Sequence, residues 1–227
     1  DEVNKIIQPG ISTNAIDKIC YEFINDNKAY SAPLFYRGFP KSCCTSTNHV
    51  VCHGIPSDKV LKDGDIINVD VTAYKDNWHG DTSRMFSVGE ISIKAKRLIK
   101  TTYKSLMKSI EILKDDVPLG DIGSTIQQHV ESEGFSVVQD FCGHGIGQKF
   151  HEEPSVLHYG KKGSGEKIKA GMIFTIEPMI NLGNYETKIL NDGWTAVTKD
   201  KSLSAQFEHT VGITKDGYEI FTQSKLS

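Results

Sequence analysis

Two aspartates separated by a turn are the first candidates for a chemical role, because their spacing could bring two carboxylates together. Asp70 ends an apolar run, Asp81 follows eleven residues later, and the turn residues Lys75, Asp76 and Asn77 lie between them. If the turn centres on Lys75 and Asp76, positions 70 and 81 face each other across two antiparallel strands, with both side chains on one face. Such carboxylates repel each other, and a divalent metal removes that penalty by supplying opposite charge. Two solvated turn carboxylates are the alternative, but the apolar residues around Asp70 argue against it.

Three further side chains extend this donor set. Glu177 ends an apolar run, Glu208 precedes another, and His144 stands in the sequence Gly-His-Gly-Ile-Gly, which allows tight turns and close approach. The whole set has four carboxylates and one imidazole: Asp70, Asp81, His144, Glu177 and Glu208. Two divalent cations would balance the four negative charges, and the ligand types suit Co, Mn, Fe or Zn.

Helices and strands must bring these residues together. Apolar spacing predicts helices over residues 12–27, 91–114 and 122–133. Strand-like runs cover residues 49–52, 65–71, 84–88, 135–138, 172–176 and 207–213. Because helices and strands do not alternate regularly, the pattern favours an α+β fold with a mixed or antiparallel sheet.

A faint internal repeat suggests how the site is built. Residues 64–70 and 171–177 are each a glycine, an apolar strand and a carboxylate six residues after the glycine, and each half has a His-Gly-Ile triplet, at His53 and His144. If the halves fold alike about a pseudo-two-fold axis, the two strands deliver Asp70 and Glu177 to one central place.

Composition narrows the function classes. The 227 residues are 38% apolar with a net charge of −3, so we expect one compact domain over residues 1–227 with no membrane span. The lysines are spread along the sequence, and no electrostatic footprint for nucleic acid stands out. Five cysteines without dense spacing favour a reducing compartment, hence the cytoplasm. The chain opens without methionine, so we expect a trimmed N-terminus, where an extension or an organellar address could have stood.

Seven separated segments resemble the signature segments of type I methionine aminopeptidase, in order and in spacing. They are His53-Gly-Ile-Pro, Asn68-Val-Asp-Val, His79-Gly-Asp-Thr-Ser, Gly143-His-Gly-Ile-Gly, His151-Glu-Glu-Pro, Thr175-Ile-Glu-Pro and Gln206-Phe-Glu-His-Thr. No long insertion separates His151 from Glu177, which implies type I, and residues 39–46 look more like the eukaryotic enzymes. The resemblance implies the pita-bread fold, in which two pseudo-symmetric halves form a curved, mainly antiparallel sheet covered by helices.

The resemblance also implies a mechanism. Asp70 and Asp81 would hold one metal and His144 and Glu177 the other, with Asp81 and Glu208 bridging. A water activated by the two metals would attack the scissile carbonyl, with Glu177 as general base. His53 and His151 would lie outside the cage and contact the scissile amide and the tetrahedral intermediate.

Further residues follow from the same resemblance. The methionine pocket and its neighbourhood would be formed by Pro33, Tyr36, Phe39, Cys44, His53, Phe150, His151 and Trp194. Asn48, Val50 and Ser204 would bind one monovalent cation, Na or K. The substrates would be the N-termini of nascent polypeptides with a small second residue. A monomer is expected, with ribosome association as a further expectation and no direct binding of nucleic acid or membrane.

Two rival interpretations remain open at this point. A peptidase of the same fold that acts on Xaa-Pro bonds, as an aminopeptidase or a prolidase, would share the metal cage. A catalytically inactive pita-bread relative would serve as a binding module, although such relatives lose metal ligands and this chain has all five.

Overall fold

Three α-helices lie within the part of the chain that the computed structural model describes, residues 1–224. They are α1 (Thr13–Asp26), α2 (Ile93–Glu111) and α3 (Leu119–Ser132), and they confirm the three predicted helices. The first two begin after serines whose hydroxyls cap them: Ser12 Oγ accepts the N–H of Ala15, and Ser92 Oγ accepts that of Ala95, each at 3.2 Å. Two short 3-10 helices, Glu2–Lys5 and Tyr36–Gly38, accompany them in the same range.

The strands include all six predicted runs. In chain order they are β1 (Tyr30–Ser31), β2 (Cys44–Thr47), β3 (Val50–Cys52), β4 (Ile66–Lys75), β5 (Trp78–Ser87), β6 (Ser136–Val137), β7 (Gly143–Gly145), β8 (Glu152–Val156), β9 (Ile173–Ile176), β10 (Met179–Asn181), β11 (Thr187–Ile189), β12 (Ala196–Thr198), β13 (Ser204–Gln206), β14 (Glu208–Ile213) and β15 (Tyr218–Ile220).

One large antiparallel sheet carries the architecture. Among residues 1–224 it has nine strands, with the order β1-β4-β5-β14-β9-β7-β8; β2 also pairs with β4, and β15 with β14. Two three-stranded sheets, β13-β10-β6 and β11-β12-β3, complete the described strands. This is the expected α+β pita-bread arrangement, a curled antiparallel sheet with the helices packed against it.

The order of the central strands fits the internal repeat. β5 and β14 are neighbours at the centre, β4 flanks β5, and β9 flanks β14. Asp81 and Glu208 therefore occupy the two inner strands, while Asp70 lies on one outer strand and Glu177 directly follows the other. The predicted equivalence of Asp70 and Glu177 agrees with this topology.

The turn of the β4–β5 hairpin differs from the sequence-based prediction. Lys75 pairs with Trp78, so the turn residues are Asp76 and Asn77, and a turn centred on Lys75 and Asp76 was wrong by one residue. Asp76 and Asn77 both have left-handed backbones, with φ of 50° and 69°. Two left-handed central residues define the type I′ turn that suits the twist of a two-residue hairpin, and Asp and Asn accept it better than most residues.

This turn shifts the pairing of the two aspartates. Asp81 lies opposite Thr72, and Asp70 lies opposite Ser83, so the carboxylates are diagonal neighbours and not a directly opposed pair. Their side chains still share one face, because a shift of two residues preserves the alternation of a strand.

Of the three apolar clusters among residues 1–224, two support the large sheet. The larger one packs α2 and α3 onto the second half of the chain and includes Leu98, Ile122 and Phe174, all fully buried. The smaller one packs α1 onto β4 and includes Ile16 and Ile67. No helix in the described range is long and apolar enough to cross a membrane, and the five cysteines are free thiols.

Candidate metal centre

Five strands, or the residues directly after them, bring the predicted donors to one place. Asp70 lies in β4, Asp81 in β5, His144 in β7 and Glu208 at the start of β14, and Glu177 follows the last residue of β9. All five line one cavity of about 450 Å³. Donor atoms of Asp81, His144 and Glu208 lie within 4.8 Å of one another. The structure therefore brings the whole predicted set together.

The imidazole lies among the carboxylates. His144 Nε2 is 3.8 Å from Asp81 Oδ2 and 3.7 Å from Glu177 Oε1. The other ring nitrogen, Nδ1, lies 3.0 Å from the carbonyl oxygen of Gly145. A hydrogen bond from Nδ1–H to that carbonyl leaves the Nε2 lone pair facing the carboxylates, as a metal ligand requires.

Polar neighbours hold two of the carboxylates in position. Thr72 Oγ1 donates to Asp81 Oδ1 at 2.8 Å. Glu177 accepts from Thr175 Oγ1 on Oε1 at 2.8 Å and from Gln206 Nε2 on Oε2 at 3.3 Å. Such second-layer contacts orient metal ligands before the metal arrives. The sequence analysis named Thr175 and Gln206 only as members of signature segments and did not indicate Thr72; it predicted none of these three hydrogen bonds, because a Thr or Gln side chain does not reveal its partner in the sequence.

His158 supports Glu177 from the other side. The backbone N–H of Glu177 donates to His158 Nε2 at 3.1 Å. His158 is buried, which lowers its pKa to about 3, so the ring is neutral and acts as an acceptor.

Burial and mutual repulsion raise the proton affinity of the carboxyl groups. Burial raises the pKa of Asp70 to about 7 and that of Glu177 to about 8. The pKa values of Asp81 and Glu208 rise well above the ordinary range, first through burial and then through the negative charges of their neighbours. Each shift expresses the cost of placing several anions together away from water.

The donor set fits divalent metal ions. Among the residues that the structure describes, no lysine or arginine forms a salt bridge with these four carboxylates. Buried carboxylates without a cationic side chain need another source of positive charge. Oxygen ligands with one imidazole are a set that first-row divalent metals accept.

Aromatic side chains form the walls above this centre. On one side, the rings of Phe39 and Trp194 meet edge to face at 5.2 Å, and His53 lies 6.2 Å from Trp194. On the other side, Tyr36 lies 4.9 Å from Phe150, and the His151 ring lies 4.1 Å from that of Phe150. All eight predicted pocket residues line the same cavity: Pro33, Tyr36, Phe39, Cys44, His53, Phe150, His151 and Trp194.

The two histidines predicted to act outside the cage differ in exposure. Burial lowers the pKa of His53, which stands in a left-handed backbone with φ of 56°. His151 is exposed, and its ring lies 4.2 Å from that of His144. Partial desolvation, followed by the charges of His144 and Arg37, lowers its pKa too, so both imidazoles are neutral at pH 7.

The cavity has further walls that the sequence did not indicate: Arg37, Thr72, Asp140, Phe141, Cys142 and Met179. Phe141 packs edge to face on His53 at 5.6 Å. The residues predicted for a monovalent cation lie elsewhere: the N–H of Ser204 donates to the carbonyl of Asn48 at 2.8 Å, and Val50 begins β3. Their cation remains a prediction.

Comparison with known proteins places this site in a family. The chain matches the model of metallopeptidase family M24 over residues 1–215. It is 57% identical to the methionine aminopeptidase of Rickettsia prowazekii (strain Madrid E) over 225 residues, which cover 99% of this chain and 87% of that protein. It is 53% identical to the Escherichia coli (strain K12) methionine aminopeptidase, with coverages of 98% and 85%. Both relatives are bacterial, so these comparisons do not support the likeness of residues 39–46 to eukaryotic enzymes.

Solved structures agree with the fold. The crystal structure of the R. prowazekii enzyme has a TM-score of 0.97 and covers 98% of this chain and 90% of its own. The prolidase from Pyrococcus furiosus has a TM-score of 0.77 at 20% identity, covers 98% of this chain and 59% of its own, and shares the fold alone. The curled sheet and the buried donors thus define a pita-bread protein with a metallopeptidase site. The chain belongs to metallopeptidase family M24.

Proposed function

We propose that this chain is a metal-dependent aminopeptidase that removes the N-terminal methionine from polypeptides whose second residue is small. The observation that carries the proposal is the convergence of five metal-binding side chains under an aromatic cavity. High identity over nearly the whole chain to proteins named methionine aminopeptidase supports the choice of substrate. The cavity suits methionine, because aromatic walls pack well against a flexible, polarisable thioether.

The site residues have distinct proposed roles in metal binding and proton transfer. Asp70, Asp81, His144, Glu177 and Glu208 would hold two divalent metals, which when bound would lower the pKa of a water molecule and stabilise negative charge on the carbonyl oxygen. Glu177 would accept the proton of the attacking water on a carboxylate oxygen and pass it to the leaving amine.

The histidines act on the substrate amide. His53 and His151 are neutral, so each imidazole has one N–H that can donate a hydrogen bond and one nitrogen that can accept one. In the proposed roles one contacts the scissile amide and the other the oxyanion. Donors fixed in a partly buried site stabilise a developing charge more than water does.

Two divalent ions are the stoichiometry that we propose, because four carboxylates carry four negative charges. Co, Mn, Fe and Zn all accept these ligands, and availability in the cell decides among them. A monovalent cation, Na or K, near Asn48, Val50 and Ser204 is a separate part of the proposal. Metal analysis of protein purified from its own cell tests both parts.

We further propose a partner and a cellular setting for this activity. The substrates would be nascent polypeptide N-termini, and the enzyme would act as a cytoplasmic monomer that can associate with the ribosome. Sedimentation with ribosomes that carry a nascent chain, compared with empty ribosomes, tests that association.

A substrate panel tests the activity itself. Metal-stripped protein is reloaded with each metal and offered Met-Gly-Met, a Met-Pro dipeptide and Ala-Pro-Ala. We expect cleavage of Met-Gly-Met and little cleavage of the proline peptides. Preference for the proline peptides would favour the Xaa-Pro interpretation. A protein with neither bound metal nor metal-restored activity would favour the binding module.

A further inference from the structure

A strained segment forms part of the rim of the active cavity. Phe35, Arg37 and Gly38 all have left-handed backbones, with φ of 67°, 47° and 86°. For Phe35 and Arg37 this conformation is strained, and such strain is common where a side chain must be held in one orientation. Backbone hydrogen bonds hold the segment; among them, the N–H of Phe35 donates to the carbonyl of Phe39 at 2.8 Å, and that of Gly38 to the carbonyl of Phe35 at 3.2 Å.

The strained backbone presents an arginine to the cavity. Among the described residues, Arg37 is the only lysine or arginine that lines this cavity, and it forms no salt bridge there. Its guanidinium carbon lies 5.3 Å from the ring centre of Tyr36. A cation over an aromatic ring is held in place without losing its charge.

Arg37 stands on the same side of the cavity as His151. The rings of Tyr36 and His151 are 5.2 Å apart, and the positive charge of Arg37 is among those that act on the His151 imidazole. Asp140, the one described carboxylate of the cavity outside the metal set, adjoins Phe141, which packs on His53 and not on His151. The mouth therefore has a positive side at Arg37 and a negative side at Asp140.

From this geometry we infer that Arg37 is a specificity-determining residue that binds a carboxylate on the leaving peptide, beyond the scissile bond. The inference rests on the proposed aminopeptidase function. With the N-terminal residue at the metals and its side chain among the aromatic walls, the remaining peptide must leave through the mouth. A planar guanidinium matches a carboxylate in two parallel hydrogen bonds, which makes acidic peptides the fitting chemical class.

The carboxylate could be an acidic side chain or the C-terminus of a short peptide, and one experiment separates them. The value of kcat/KM is measured for the amides Met-Gly-Glu-Gly-NH2 and Met-Gly-Gln-Gly-NH2, and for Met-Gly-Gln as free acid and as amide. An exposed charge pair predicts a preference of roughly two- to five-fold for the charged member. If the Glu peptide is preferred over the Gln peptide, Arg37 binds an acidic side chain. If the free acid is preferred over the amide, Arg37 binds the terminal carboxylate.

Variants locate the effect at position 37. Arg37→Asn removes the charge, and asparagine tolerates the left-handed backbone. In this variant the charged and the neutral peptide of each pair should have equal kcat/KM values, mainly because the KM of the charged peptide rises. Arg37→Glu should reverse the preference. The matched control is Lys149→Asn, which removes an exposed cation beside Phe150 that does not line the cavity, and it should keep the wild-type ratio. High salt should shrink the ratio towards one.

Two outcomes overturn the inference and are distinguishable from failure of the proposed function. Equal ratios in wild type and Arg37→Asn, or no preference in either wild-type comparison, would remove the role of Arg37 while cleavage continues. If the neutral amide is not cleaved at all by metal-loaded wild type, the aminopeptidase function itself fails.

Discussion

Glu177 combines a largely buried side chain, which is 12% exposed, with two fixed hydrogen-bond donors. Thr175 and Gln206 each donate to one of its carboxylate oxygens, while burial raises its pKa to about 8. A group that must take and then return a proton works best with a pKa near the working pH. Positive charge nearby would lower the pKa of Glu177 from its metal-free value and so bring it closer to the working pH.

Glu177→Ala should abolish turnover and leave the fold intact. Loss of a positioned proton carrier lowers the rate by about 10²–10⁴-fold, and loss of a metal ligand lowers it further. The fold should persist, because removal of one carboxylate relieves the repulsion among the others. The measurements are steady-state rates under metal titration and the unfolding temperature of the metal-free protein. Glu219→Ala, at an exposed position of β15, serves as the control with normal rates. Near-normal turnover in the Glu177 variant would refute its assignment.

His151→Ala should lower kcat with little change in metal affinity. The His151 ring lies 4.2 Å from His144 but does not belong to the compact donor group, so its loss removes a hydrogen-bond donor to the substrate and no ligand. One such donor is worth about 10²–10³ in kcat. Calorimetric metal titration of this variant is compared with His144→Ala, which should bind metal far more weakly. Equal loss of affinity in both variants would show that His151 is a ligand.

At the scale of elements, two glycines precede metal ligands in very different surroundings. A Cβ at Gly143, before His144 in β7, would overlap the carbonyl oxygen of Thr175, while a Cβ at Gly80, before Asp81 in β5, meets no atom within 4 Å. The close contact between β7 and β9 at Gly143 sets how near His144 comes to Glu177. The glycines of Gly-His-Gly therefore meet a packing requirement within strand β7, and the sequence-based expectation of close approach is confirmed without a turn at this point.

Gly143→Ala should separate these strands and weaken the metal site. Overpacking of a buried position costs about 1–3 kcal/mol of stability, and the shift of His144 should lower metal affinity as well. Gly80→Ala is the matched control and should change both quantities little. Chemical denaturation and metal titration of the two variants provide the comparison, and equal behaviour would show that the sheet adjusts freely at β7.

The same scale shows what the sequence could predict. The strands were recognisable because apolar runs flank Asp70 and Glu177, and the repeat placed those residues in equivalent positions. The exact register of the hairpin could not be predicted, because Lys75, Asp76 and Asn77 are all plausible turn residues. Only the left-handed backbones of Asp76 and Asn77 in the structure decide among them. Partners such as Gln206 and His158 come from distant segments, so only the folded chain reveals them.

At the scale of the whole molecule, the metal centre opposes folding when no cation neutralises it. Asp70 and Glu177, with pKa values of about 7 and about 8, bind protons in the folded state that they release in the unfolded state. Stability from these groups therefore falls as pH rises between about 4 and 8. His158 and His209, with pKa values lowered to about 3 and about 4, act in the opposite direction, but only below the ordinary histidine pKa of about 6.5.

Between pH 6.5 and 8 the carboxyl groups thus decide how stability changes with pH. At about 1.36 kcal/mol per pH unit and proton, Asp70 and Glu177 alone should cost metal-free protein about 2–3 kcal/mol of unfolding free energy over this window. With metal bound, stability should instead rise with pH, because deprotonated ligands bind the metal more tightly and binding releases protons. Denaturation curves at both pH values, after chelation and after manganese addition, measure the two slopes. Asp70→Asn should flatten the metal-free slope. Metal-free protein that is more stable at pH 8 than at pH 6.5 would contradict the raised pKa values, and with them the repulsion on which the proposed pair of divalent metals rests.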